Sequence, residues 1–319
     1  MRRAALCAAV VAIGALWMTG TAGAYSWPLK PFNKMHPIRA AFDDPRYHLG
    51  TNESALSAFH FGVDIVAKDG TRVYAVTPGY VRKYSDHVTV RRPTTGRAYG
   101  YWHIKAVVHT GQHVRIHQFL GTIIKGWGHV HFAESLDGSY RNPLRKGALT
   151  PFRDHTRPTV SSINFVGSSG ESMSPADVHG LVDVEASIYD TPPIAPPSPW
   201  NVARLAPALV MWELVRDGTP MIDWTLSADF TYALMPGAAY PYIYAPGTYQ
   251  NKPHRPGNYL FWVTHGLDTT ALPNGSYTLN VLAEDTRWNE GELSLGFTVA
   301  NDGPPAPTYV MRWPGGYAQ

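Results

Sequence analysis

Apolar and polar positions alternate every second residue along much of this chain, the period of strands with one buried face rather than of helices. In the first half, Val63, Ile65 and Ala67 alternate with Asp64, Val66 and Lys68. A Gly70-Thr71 turn and then Val73-Tyr74-Ala75-Val76 follow, which predicts a hairpin. Residues 37–42 predict an earlier strand entering the same unit. In the second half, Thr159 to Val166, Leu181 to Tyr189 and, in part, Ala208 to Val215 carry the same alternation. Gly275 to Asp285, a turn containing Trp288-Asn289-Glu290-Gly291, and Leu293 to Val299 predict a terminal hairpin. The fold class is therefore mainly β: an antiparallel β-sheet domain followed by a β-sandwich. The polar, proline-punctuated run from Pro151 to Pro158 marks the boundary. The expected units are residues 25–150 and 156–303, with a flexible tail over 304–319.

Two loops interrupt the second unit. Thr191 to Trp200 is rich in proline, which cannot donate ladder hydrogen bonds, so it must run over the surface. Tyr240 to Tyr249 is dense in tyrosine. It can stack on sugar rings or wall a cleft, or it can pack its own aromatics against the sandwich, the more common outcome.

The chemistry concentrates on strands of the first unit, in His60-Phe-Gly-Val-Asp64, Tyr101-Trp102-His103-Ile104 and His129-Val130-His131-Phe132. Residues two apart on a strand share a face about 6.6 Å apart, so His129 and His131 can address one site while Val130 points into the core. His60 and Asp64 would stand roughly 13 Å apart on a straight strand, too far to share one ion. The chain must bend between them, and Gly62 lies midway. Two ligands from this bend and one from the His-x-His strand leave a position open for water, as catalytic zinc sites do. Spacing equally allows both His129 and His131 to coordinate. His109, His113 and His117 recur every four residues, but Val114 and Ile116 alternate with His113, Arg115 and His117, which predicts a strand with histidines on its polar face.

These segments resemble the lysostaphin-type zinc metallopeptidases, whose members cleave peptide cross-links of bacterial peptidoglycan. His60 to Asp64 is similar to the first family motif, together with Gly70 to Val76 and Gly79-Tyr80-Val81. Tyr101-Trp102-His103-Ile104 resembles the family's Tyr-Ala-His-Leu, Gly111-Gln112-His113-Val114 its Gly-x-x-Val, and His129 to Phe132 its His-Leu-His-Phe. The resemblance spans roughly residues 36–150. It implies that His60, Asp64 and His131 hold one Zn2+ per chain and that His103 and His129 are catalytic. It also implies a secreted endopeptidase acting on peptidoglycan peptides. The chain departs from the family in one place: Gly126-Trp127-Gly128 leads directly into His129 where the family carries a Ser-Thr-Gly-Pro type loop. The terminal hairpin is similar to the last two strands of immunoglobulin-like sandwiches found beside bacterial wall enzymes.

Composition sets the compartment. Residues 1–24 open with Arg2-Arg3, run apolar from Ala4 to Met18 and end on Ala22-Gly23-Ala24, a secretory signal peptide. The apolar run is too short to span a bilayer, and no other stretch approaches that length. The single cysteine, Cys7, lies inside this leader, so no disulfide is expected in the exported chain. Without Arg2 and Arg3, 25 basic residues face 24 acidic ones, and the net charge falls from +3 to +1. Such a balance gives no electrostatic case for nucleic acid or membrane binding.

Zinc would make a water reactive at neutral pH and polarise a carbonyl, with one neutral imidazole taking a proton and the other stabilising the oxyanion or leaving amine. Spacing does not divide these tasks between His103 and His129. Unperturbed imidazoles predict activity falling below about pH 6 to 6.5. Two other classes use the same residues: a non-catalytic wall-binding or regulatory relative, and a zinc protease of extracellular proteins. There is no glycine-rich phosphate loop and no serine or cysteine nucleophile motif.

Overall fold

The computed structural model describes residues 23–48 and 56–301. The expected leader, apart from its last two residues, and the expected 304–319 tail lie outside the described residues. Antiparallel strands dominate, and the only α-helix among the described residues, α1 (Tyr240–Ile243), is a single turn. No described helix is long and apolar enough to cross a membrane.

The first unit begins with β1 (Ile38–Ala40), β2 (Pro45–His48), β3 (Leu56–Phe59) and β4 (Val63–Val66). It continues through β5 (Arg72–Tyr74), β6 (Gly79–Lys83), β7 (His87–Arg91), β8 (Arg97–Trp102) and β9 (Ile104–Ala106). β10 (His113–Val114), β11 (Phe119–Ile123), β12 (His129–Leu136) and β13 (Ser139–Arg141) complete it. The main sheet runs β1-β4-β12-β8-β7-β6-β10, with β13 on β12; a smaller sheet runs β5-β11-β9, and β2 pairs with β3. Val63, Ile65, Val130 and Phe132 point to the core and are fully buried. The opposite faces of β4 and β12 are thereby left to Asp64, His129 and His131.

The predicted hairpin between residues 63 and 76 does not form. β4 lies between β1 and β12, whereas β5 pairs with β11 in the other sheet. β4 is buried on both faces, so its alternation reports a central strand covered from above. The predicted strand through His113 to His117 also shortens to two residues. Ile116 is exposed, and His117, at φ 60°, stacks on Phe32 with 3.8 Å between ring centres. The N-terminal segment covers this histidine, and Ser26 Oγ lies 2.7 Å from its Nε2.

The second unit contains β14 (Thr159–Gly167), β15 (Ser172–Met173), β16 (Leu181–Tyr189), β17 (Leu209–Arg216) and β18 (Thr219–Asp229). β19 (Leu260–Asp268), β20 (Gly275–Glu284) and β21 (Glu290–Val299) follow. Two four-stranded sheets, β15-β14-β16-β19 and β18-β17-β20-β21, close over one core that includes Phe165, Val184, Leu214 and Leu279. The terminal hairpin forms, with pairs running from Gly275↔Val299 to Glu284↔Glu290. Glu290 and Gly291 therefore belong to the strand, and the turn is closed by Asp285, whose Oδ1 accepts the N–H groups of Arg287 and Asn289 at 2.7 and 2.9 Å. Tyr240 and Tyr244 pack inward with Phe59, so the tyrosine-rich loop serves the core at those positions, while Tyr242 is exposed.

The two cores exchange residues. Phe59 of β3 is buried among Phe230, Tyr240 and Tyr244, and Leu205 of the second unit joins the first core. Ala206 N–H donates to Asp44 Oδ1 at 2.7 Å, Tyr244 Oη to the Asp43 carbonyl at 2.9 Å, and Asn251 Nδ2 to the Arg39 carbonyl at 3.0 Å. These bonds reach residues 39–44, the segment that backs His60.

Candidate active site

Ladder register sets the floor of the site. His131 on β12 stands opposite Asp64 on β4, with Trp102 of β8 on its other side. His60 precedes β4, and the chain bends at Gly62 as its position suggested. A side chain there would stand 2.8 Å from the His131 ring, so a glycine is required by close approach. His103 occupies the single residue between β8 and β9 at φ 65°, a left-handed conformation rare outside glycine, which turns its ring towards His129.

His60, Asp64 and His131 converge, each with a ligand-capable atom within 4.8 Å of the others. His60 Nε2 is 2.8 Å from His131 Nδ1 and 3.2 Å from Asp64 Oδ1, and His131 Nδ1 is 3.1 Å from the same oxygen. His60 Nδ1–H donates to the Ala41 carbonyl at 2.6 Å, so its Nε2 carries a lone pair into the cluster. Two imidazole nitrogens and a carboxylate oxygen meeting at one point is a donor set that suits zinc. His129 lies beside this group: its Nδ1–H donates to the Trp127 carbonyl at 2.7 Å, leaving an Nε2 lone pair 3.5 Å from Asp64 Oδ1.

Burial keeps the imidazoles neutral. His60 is pushed down to about 3 by burial and then by the Arg46 guanidinium, and His103 to about 3 by burial and then by His129. Burial likewise lowers His129 and His131. The neutral forms thus persist below the pH 6 to 6.5 limit expected from unperturbed imidazoles, because those values describe solvated rings. Burial opposes ionisation of Asp64, but His129, His60 and His131 outweigh it and hold the carboxyl well below its ordinary range. Arg39 and Arg46 add to this, at 3.5 and 3.3 Å from Asp64 Oδ2.

The Gly126-Trp127-Gly128 segment has its own order. Both glycines have positive φ, and their N–H groups donate to the Asp69 carboxylate at 2.7 and 2.9 Å. Trp127 then lies flat on His103, 3.5 Å between ring centres and 11° from parallel. The segment presents Trp127 as an aromatic wall beside His103. All five residues singled out from sequence come together here, in a cleft of about 380 Å³. Sequence reasoning missed Arg39, Arg46, Trp200 and Gln250, which also line it. None belongs to a local motif.

No family model matches the chain, and no curated protein matches it. Several solved structures do. A chain of the SpoIIQ-SpoIIIAH pore forming complex is 21% identical over 39% of this chain and 90% of its own, with a TM-score of 0.31. A zinc containing peptidase from Vibrio cholerae is 20% identical over 36% of this chain and 37% of its own, TM-score 0.29. The catalytic domain of the antimicrobial peptidase lysostaphin from Staphylococcus simulans is 22% identical over 32% of this chain and 85% of its own, TM-score 0.26.

Proposed function

We propose that this protein is an exported zinc endopeptidase that hydrolyses peptide cross-links of bacterial peptidoglycan, with residues 25–150 carrying the site and 156–303 forming an immunoglobulin-like sandwich. The observation that carries this reading is the convergence of His60 Nε2, His131 Nδ1 and Asp64 Oδ1 on one point, flanked by two further neutral imidazoles at an open cleft. His60, Asp64 and His131 hold the ion. When bound, zinc lowers the pKa of a coordinated water and polarises the scissile carbonyl.

The chain's own residues move the protons. His129 Nε2 accepts a proton from the attacking water, and the bond from Nδ1 to the Trp127 carbonyl keeps the ring in the tautomer that permits this. Asp64 Oδ1, 3.5 Å away, offsets the charge that develops on His129. His103, fixed against Trp127, donates its ring N–H to the developing oxyanion. The proton on His129 passes to the leaving amine as the C–N bond breaks.

The test is a digest of defined muropeptides by the zinc-loaded protein, with and without chelator, analysed by mass. One new carboxyl and one new amino terminus are expected only without chelator. Zinc binding with no product from any wall type would leave a non-catalytic wall-binding relative, and preferential cleavage of casein would indicate a protease of extracellular proteins.

A further inference from the structure

We propose that the second β unit supplies part of the substrate cleft: the Gln250 carboxamide pairs with the N–H and C=O of one residue of an extended substrate peptide, on a wall completed by Trp200. The proposal rests on the peptidase reading of the site. Trp200, Gln250 and Asn251 line the same cleft as His60 and His131 although they lie in the other unit. Gln250 Oε1 is buried and accepts no hydrogen bond among the described residues. A bare buried acceptor is destabilising, and a ligand that donates to it recovers that cost.

Its neighbour explains how the segment is held beside the cleft. Asn251 uses both ends of its side chain: Nδ2 donates to the carbonyls of Arg39 and Arg204 at 3.0 and 2.7 Å, and Oδ1 accepts from Arg204 and Gly257 N–H at 2.9 and 2.7 Å. The segment is thus pinned to β1 at the edge of the cleft that Gln250 lines. Trp200 stacks on the Arg39 guanidinium at 4.0 Å, and Arg39 Nη2 is 3.3 Å from His129 Nε2, so this wall is continuous with the reacting centre. The chemistry of the occupant follows. Arg39 and Arg46 line the cleft and repel an ammonium group, so Oε1 is matched to a neutral N–H. An extended peptide residue presents its N–H and C=O on one edge, and a primary amide offers an acceptor and a donor side by side.

The experiment titrates cross-linked muropeptide stems into the full chain freed of metal, where binding is read without turnover, and uses stems N-methylated at one amide at a time. Gln250→Ala should weaken binding roughly tenfold, and so should Gln250→Glu, which keeps the volume but loses the donor. One N-methylated stem should lose the same factor against wild type and nothing further against Gln250→Ala. In the zinc-loaded protein the same variants should raise KM, leave kcat within about twofold and leave zinc content unchanged. Wild-type affinity and KM in Gln250→Ala, or no N-methyl position absorbed by the variant, overturns the subsite while leaving the peptidase reading intact. Wild-type binding that depends on Gln250, without cleavage after zinc loading, overturns the peptidase reading and keeps the subsite. A wild type that binds no stem peptide overturns the subsite.

Discussion

Two buried clusters in this molecule have the same outline and opposite chemistry. His60, Asp64 and His131 form one; Asp154, Asp190 and Asp285, where the linker meets the second unit, form the other, and in both the ligand-capable atoms lie within 4.8 Å of one another. In the acidic cluster the chain already supplies donors. Asp154 Oδ1 accepts from Thr156 N–H and Oγ1, Asp190 Oδ1 from Thr191 N–H, and Asp285 takes the N–H groups of Arg287 and Asn289 and the Asn289 side chain. Its surplus charge is handled by protonation: burial and the neighbouring carboxylates push Asp190 up to about 8. In the histidine cluster Asp64 is held ionised while burial keeps its imidazole neighbours neutral, so the His60 and His131 nitrogens and Asp64 Oδ1 meet without a backbone donor among them. A group of buried ligand-type residues becomes a candidate cation site when its lone pairs are left over, and a structural junction when backbone donors consume them.

The sharpest way to break that contrast is to remove one member from each cluster. His131→Ala and Asp64→Ala should lose both zinc and activity, to the limit of detection, whereas Asp154→Asn should lose neither. Elemental analysis of the dialysed proteins beside the muropeptide digest decides this; one equivalent of zinc retained by His131→Ala would overturn the ligand assignment. Next in size is His129→Ala. Its imidazole stands beside the proposed ligands His60, Asp64 and His131, so activity should fall about a hundred- to ten-thousandfold with zinc retained. Zinc loss equal to that of His131→Ala would make His129 a ligand, the alternative that spacing alone allowed.

A third effect concerns what holds the histidine cluster in place. Phe59 adjoins His60 in sequence but is buried in the core of the second unit, so Phe59→Ala should cost about 3 to 5 kcal/mol of stability. Thermal unfolding should then show both units melting at lower temperature. An unchanged Tm would show that the second unit merely lies against the first.

The same contact marks the limit of what sequence reveals. His60, Asp64, His129 and His131 were legible because strand period two and one bend decide which of them share a face; His103, at a left-handed turn between β8 and β9, was singled out only through the resemblance of its segment. The mainly β class and the terminal hairpin were legible for the same reason. The partner of β4 was not, since a central strand covered on both faces reads like one arm of a hairpin. Nor were Arg39, Arg46, Trp200 and Gln250, which reach the cleft through packing between segments up to about two hundred residues apart, and no local period encodes that.

The smallest effect tests the acidic cluster by pH. The Asp190 carboxyl, pushed to about 8 from an unfolded value of 3.8, keeps in the folded state a proton that the unfolded chain gives up, so its contribution to stability is full below about pH 4 and is lost as pH rises towards 8. Asp43 and Asp44, pushed by burial to about 8 and about 7, slope the same way, so the wild-type curve alone does not isolate Asp190. The difference between wild type and Asp190→Asn does. The carboxamide cannot ionise, so the variant should lose part of the decline and gain on the order of 1 to 2 kcal/mol at pH 8, a few degrees in Tm, with little change at pH 5. Equal slopes in the two proteins would show that Asp190 ionises normally where it stands. The same melts with added calcium complete the contrast: no shift is expected, because the donors around Asp154, Asp190 and Asp285 come from the chain. A calcium-dependent rise abolished by Asp190→Asn would turn the acidic cluster into a cation site after all and erase the difference between the two.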